Sequence, residues 1–164
     1  MIRLTKLTDY GIVLMTHLAA YRDRRWNAAD LASETQLPAP MVSKILKQLV
    51  REGLLDSKRG AKGGYSLEKS AKDISVVDII TALDGPIALT ECSDETTDEC
   101  SYEAICRVKS HWLKINSVVR DALVRVTLDE MARDIEALSM DSIEVSTRSN
   151  DSAAADRPLI TLGR

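Results

Sequence analysis

The 164-residue chain has no phenylalanine, and with two tryptophans and four tyrosines its aromatic content is 4%. Sheet-built cores draw on aromatic and β-branched side chains, whereas a core of Leu, Ile, Val, Met and Ala suits helices. No apolar run approaches the roughly 18–20 residues that a membrane-spanning helix needs. The opening Met1-Ile2-Arg3-Leu4-Thr5-Lys6 lacks the basic-then-apolar pattern of a secretory signal. The expectation is a cytoplasmic protein with no membrane partner. Cysteine is scarce too: Cys92, Cys100 and Cys106 are the only three. An odd number without a secretory signal argues against a disulfide framework.

What is present fits one globular unit: 45% hydrophobic and 29% charged residues over a length typical of a single domain. The net charge of −3 conceals a division. Residues 1–70 carry 12 basic and 7 acidic side chains, a balance of +5, and residues 71–164 carry 10 and 18, a balance of −8. A basic front half is suited to a polyanion, and the acidic half to a different task.

Along the chain, Leu4, Leu7, Gly11, Leu14 and Leu18 recur at helical spacing and predict a helix over 4–20. Asp9 lies about 200° round from Leu7, off that stripe. Asn27 can cap a helix over 28–35, and Pro38-Ala39-Pro40 starts another that stops at Gly53. Val42, Ile45, Leu46, Leu49 and Val50 share one face of this second helix, while Ser43, Lys44, Lys47, Gln48 and Arg51 share the other. Two short helices with a sharp turn, the second basic outside, make a helix-turn-helix pattern. Residues 54–58 and 64–67 can pair as a hairpin around Arg59-Gly60-Ala61-Lys62-Gly63, a basic wing with Lys58, Arg59 and Lys62 at its tip. A capped helix over 75–83 and its Gly85-Pro86 stop complete a winged-helix domain over 1–85.

The cysteines fall in an acidic loop assigned to 86–106, with spacing Cys-x7-Cys-x5-Cys. Structural zinc prefers paired ligands with loops of roughly 2–4 residues. Wider loops suit a larger inorganic core, so an iron–sulfur cluster is favoured over zinc. The local chain offers no convincing fourth ligand: His111 lies about 140° round a helix from Cys106, and Lys109 is a cation. Ile105, Val108, Trp112, Ile115, Val119, Ala122 and Val126 then follow spacings of 3 and 4 without a miss. This seam predicts a long helix whose natural partner is its own copy, a dimerisation helix and following short helix over 103–138. Leu128, Met131, Ile135 and Leu138 continue a weaker stripe, and residues 139–164 have the composition of a disordered tail. The fold class expected is mainly α: a winged helix-turn-helix with a two-stranded wing and a long dimer helix.

Several of these motifs occur together in order, and on them the chain resembles the IscR/NsrR-type winged-helix iron–sulfur regulators of bacteria. The matching runs are residues 4–10 (LTKLTDY), 42–49 (VSKILKQL), 53–60 (GLLDSKRG), 63–67 (GGYSL) and 74–80 (ISVVDII), followed by the three cysteines and Trp112. Within that group it is most similar to regulators of the SUF iron–sulfur assembly operon. The resemblance covers roughly residues 1–130. It implies that Cys92, Cys100 and Cys106 ligate a cluster. IscR-type members place a histidine three residues after the last cysteine, where this chain has Lys109. NsrR-type members use a first-helix aspartate donated by the partner subunit, and the matching position is Asp9. The resemblance therefore implies Asp9 as the fourth ligand, with His111 the weaker candidate, and a 4Fe–4S cluster in preference to 2Fe–2S.

The function expected is a homodimeric repressor that senses cluster status and controls iron–sulfur assembly genes, with no small-molecule substrate. Ser43, Lys44, Lys47 and Gln48 would meet a double-stranded operator in the major groove, and Arg59 and Lys62 would touch its flanks. The alternatives are a nitric-oxide or redox sensor of the same fold, and a zinc-stabilised adaptor. No base stands beside a thiol in the sequence, so no enzyme is expected.

Overall fold

The structure, a computed structural model, describes residues 4–60, 63–94, 100, 105–133 and 135. Its elements in order are α1 (Lys6–Ala20), α2 (Ala28–Thr35), α3 (Ala39–Arg51), β1 (Leu55–Lys58), β2 (Gly64–Leu67), α4 (Val76–Asp84) and α5 (Lys109–Val124). Single 3-10 turns lie at Ala71–Asp73 and Glu91–Ser93. This is a mainly helical winged-helix fold, and the elements expected in the front half all form.

Local chemistry sets their ends. The Thr5 hydroxyl accepts a hydrogen bond from the Thr8 amide at 3.2 Å and donates to the Asp84 carboxylate at 2.8 Å, so the residue that starts α1 also ties it to the end of α4. Asn27 Oδ1 accepts from the Asp30 amide and caps α2. Gln36, at φ 54°, turns the chain out of α2 in the left-handed region. Pro40 sits in the first turn of α3, where its missing N–H costs nothing. Ser75 and Asp78 cap α4 reciprocally.

The four buried apolar residues of α3, Val42, Ile45, Leu46 and Leu49, are fully enclosed. They meet Leu14, Met15 and Leu18 of α1, Leu31 of α2 and Ile79 of α4. Full burial of each such side chain contributes about 1.5–3 kcal/mol. Gly11 lets α1 pack closely on α4: a Cβ there would sit 2.1 Å from a Leu83 methyl carbon.

β1 and β2 pair antiparallel with Leu55 opposite Leu67 and Lys58 opposite Gly64. The turn between α1 and α2 carries Arg22, Asp23, Arg24 and Arg25 and also extends the sheet. Trp26 pairs with Tyr65 through two backbone hydrogen bonds of 3.0 and 2.8 Å, adding a one-residue third strand to the outer edge of β2. Its ring is buried against His17, with centroids 4.6 Å apart. Burial pushes the His17 imidazole below its ordinary pKa, an effect partly offset by the charge of Glu34.

Two expectations for the back half are corrected. The long helix is shorter than the seam implied: it spans Lys109–Val124, so Ile105 and Val108 precede it and Val126 follows it. Thr127 and Glu130 explain the C-terminal end, because their side chains and backbone amides cap each other at 3.1 and 3.3 Å and start a new helical stretch. Second, the expected boundary at residue 85 divides elements that share one core. After α5 the chain returns: Val76 N–H donates to Val126 C=O at 3.0 Å, and Leu128 N–H to Ile74 C=O at 2.8 Å. Leu128 and Ala132 are enclosed in the winged-helix core, and Asp129 pairs with Arg22 at 2.8 Å and with Arg133 at 3.3 Å. The expected disordered tail, 139–164, lies outside the described residues.

Two outcomes are expected. Leu128→Ala should cost about 2–5 kcal/mol, as any enclosed leucine would, measured by equilibrium urea unfolding; a cost below 1 kcal/mol would detach this stretch from the core. Because His17 is held below its ordinary value, the unfolded chain takes up its proton first as pH falls. Stability should therefore decline as pH drops below about 6.5, and His17→Phe should flatten that decline in melting curves recorded from pH 7.5 to 5.5.

Candidate nucleic-acid interface and cysteine segment

The enclosed face of α3 fixes its rotation, and the opposite face is presented outward. Lys44, Lys47 and Arg51 are exposed on it and Ser43 is half-buried beside them. Arg51 pairs with Glu52 at 3.0 Å, which leaves Lys44 and Lys47 as the prominent cations of the face. Gln48 departs from the expected pattern. Its amide donates to the Ala82 and Leu83 carbonyls at 2.9 and 3.2 Å. Those carbonyls belong to the last turn of α4, where backbone acceptors lack helical partners. Through these two hydrogen bonds Gln48 holds α3 to α4.

The wing stands next to this face. Lys58 and Arg59 are exposed, and Gly60 takes φ 109° to turn the tip. Gly63 has no room for a side chain, since a Cβ would lie 2.2 Å from the Lys58 carbonyl oxygen. Lys62 lies outside the described residues. The wing is braced from below by Arg25, which donates to the Gly64 carbonyl at 3.0 Å and ion-pairs with Asp56. The hydrogen bond from Arg25 holds the Asp56 carboxyl below its usual range. Nothing in the sequence signalled this brace, because the partners are 31 residues apart.

The cysteine segment is anchored at both ends near α5. Cys92 lies on the 3-10 turn at Glu91–Ser93, half-buried, with its Sγ 3.2 Å from the Thr90 hydroxyl. It borders a cavity of about 290 Å³ also lined by Leu113, Asn116 and Arg120 of α5. Asn116 holds the approach to this turn, donating to the Ile87 carbonyl at 3.0 Å and accepting from the Leu89 amide at 3.1 Å. Cys106 is half-buried three residues before α5 begins, and Cys100 is half-buried as well. All three are free thiols. Among the described residues, no three His, Cys, Asp or Glu side chains gather to hold a metal ion. One protomer therefore does not bring Asp9 and the cysteines into a closed set. Asp9 is exposed on the first turn of α1, and His111 is exposed near the start of α5.

The helix α5 itself has no buried residue. Trp112, Ile115 and Val118 are 39%, 44% and 60% exposed, so an apolar face lies uncovered within the single chain. The described residues contain no helix long and apolar enough to cross a membrane.

A helix-turn-helix with an outward basic face, flanked by a basic wing, defines a winged-helix DNA-binding regulator. The chain belongs to the Rrf2 family, whose model, described as an iron-dependent transcriptional regulator, matches residues 4–134. Among its relatives, the HTH-type transcriptional regulator IscR of Pectobacterium atrosepticum is 28% identical over 148 residues, covering 89% of each chain. Protein rrf2 of Nitratidesulfovibrio vulgaris is 27% identical over 145 residues, 88% of this chain and 96% of the other. Of solved structures, CymR, the global cysteine regulator of B. subtilis, superposes with a TM-score of 0.64 at 26% identity, covering 81% of this chain and 98% of that one. T. potens IscR gives 0.63 at 26% identity, with 84% and 90% covered. Staphylococcus aureus CymR in its oxidized form gives 0.61 at 30% identity, with 80% and 96% covered. The protein is thus a DNA-binding transcriptional regulator and not an enzyme.

Lys44→Ala and Lys47→Ala should each weaken binding to a duplex operator selected from random sequence. If each loses one phosphate contact, the salt dependence falls by about one, readable by fluorescence anisotropy across salt concentrations. Gln48→Ala should lower the melting temperature while binding of the folded protein stays unchanged. Equal binding by both lysine variants would remove α3 from the interface.

Proposed function

We propose that this regulator is a homodimer that reads iron–sulfur status through Cys92, Cys100 and Cys106 and represses genes of iron–sulfur assembly. One observation supports this reading above the others: the cysteine segment is attached to α5 at both ends. Cys92 faces a cavity lined by α5, and Cys106 stands immediately before its first turn. A group held by these thiols would grip the end of the helix whose apolar face is uncovered.

The donor set fits a cluster chemically. Three free, half-buried thiols within 15 residues are the ligands iron–sulfur centres take. A bound cluster would supply an oxidant-sensitive core whose loss releases its ligands. For the fourth ligand we favour the partner's Asp9 over His111. Asp9 is exposed on α1, which Thr5 ties to α4, so a ligand there would link one chain's DNA-binding head to the other chain's α5. This arrangement goes with the 4Fe–4S reading, and 2Fe–2S is the alternative. In the dimer, paired α5 faces would set two copies of α3 about one helical turn apart on a near-palindromic operator. Releasing the link would alter their spacing, a two-state element biased by a ligand.

A second reading has its own support. The likeness to CymR, including an oxidized form of that protein, favours direct thiol oxidation as the signal. Cys92, hydrogen-bonded to Thr90, would be one reactive group.

The deciding experiment is iron and sulfide analysis with a visible spectrum on protein purified without oxygen. A brown protein with about four irons and four sulfides per chain, made labile by Asp9→Ala, is expected. About two irons and indifference to Asp9→Ala would move the fourth ligand elsewhere. A colourless protein whose operator binding changes with peroxide would establish the second reading. Zinc without sulfide would overturn both.

A further inference from the structure

Beside the wing, at its outer edge, the fold leaves an open cleft of about 210 Å³. Leu18 and Leu67 form part of an apolar floor, and Arg22, Arg24, Lys69 and Ser70 stand at its rim. The three cations come from two stretches: Arg22 and Arg24 from the turn between α1 and Trp26, and Lys69 from the turn after β2. Each arginine is held in place. The Arg24 guanidinium lies 3.6 Å over the Trp26 ring, and Arg22 Nε donates to the Ala19 carbonyl at 2.6 Å. The Ser70 hydroxyl accepts from the Lys72 amide at 3.4 Å, leaving its proton free to donate.

The charge balance is incomplete. Arg22 is paired with Asp129, which Arg133 also engages. Neither Arg24 nor Lys69 is ion-paired among the described residues. Like charges lining one cleft repel one another, and an anion entering between them relieves that repulsion. Guanidinium groups match the oxygens of phosphate with parallel hydrogen bonds.

We propose that this cleft binds a small phosphorylated molecule, its phosphate at the rim formed by Arg24, Lys69 and Ser70 and its apolar part over Leu18 and Leu67. Operator DNA carries the same phosphate chemistry but approaches from elsewhere. The cleft adjoins the edge of β2 that pairs with Trp26, whereas β1 and then α3 lie beyond the opposite edge. The site is separate from the cysteines, yet it touches the stretch that returns to the core after α5. Arg22 borders the cleft and also fastens Asp129, two residues after the end of the Ser75–Thr127 bridge that follows α5.

The test titrates inorganic phosphate and pyrophosphate into the full chain at ionic strength held constant with chloride. At about ten times the dissociation constant, the melting temperature should rise by about 3–5 °C. The rise should vanish in Arg24→Ala/Lys69→Ala and in Lys69→Glu alone, a surface change that spares the Trp26 stack. Operator affinity of both variants should match that of the unaltered chain. An equal rise in Lys69→Glu, or no rise in the unaltered chain, would overturn the proposal. So would a salt dependence of operator binding that falls by about two in the double variant, since the cations would then belong to the DNA interface.

Discussion

Enclosure of one face of α3 is the constraint on which the rest of the molecule depends. Val42, Ile45, Leu46 and Leu49 are shut away from water, and leaving them exposed would forfeit several kilocalories per mole. This burial fixes the rotation of the helix about its axis. Once that rotation is set, Lys44 and Lys47 point outward, and Gln48 comes to rest at the carbonyl end of α4. The basic face is therefore a consequence of the core: it takes the positions the core leaves over.

The same core reaches further along the chain than its front half. Leu128 and Ala132 are part of it, and Arg22 and Asp129 fasten them at the surface. α5 is thus tied at its middle, by Asn116 to the stretch before Cys92, and just past its C-terminal end, by Val126 and Leu128 to Val76 and Ile74. None of its side chains is buried. A helix held by ties on one side and uncovered on another keeps a surface for another chain. Chemistry at the cysteines is placed to act on such a helix, because Cys106 stands three residues before it and the Cys92 cavity is lined by it.

Much of the fold could be read from the chain because the relevant signals are local. Asn27, Pro40, Gly53, Ser75 and Gly85 each act within one turn, and each stands where an element starts or stops. The apolar spacing of α3 likewise separated its inner from its outer face. The heptad pattern around Trp112 was less reliable, since periodicity continued past Val124 while the Thr127–Glu130 capping pair broke the helix. The contact of Gln48 with α4 was not legible for a related reason: the carbonyls it meets come from a helix 34 residues further along the chain.

The sequence alone determined the helix-turn-helix, the wing hairpin and the clustering of the cysteines, since each depends on residues close together in the chain. Tertiary structure decided the Trp26–Tyr65 pairing, the Arg25 brace under the wing, the return of Leu128 to the core and the grouping of Arg22, Arg24 and Lys69. Those features join residues tens of positions apart. Their partners are chosen by which surfaces the packed core brings together, and no periodicity or capping residue encodes that choice.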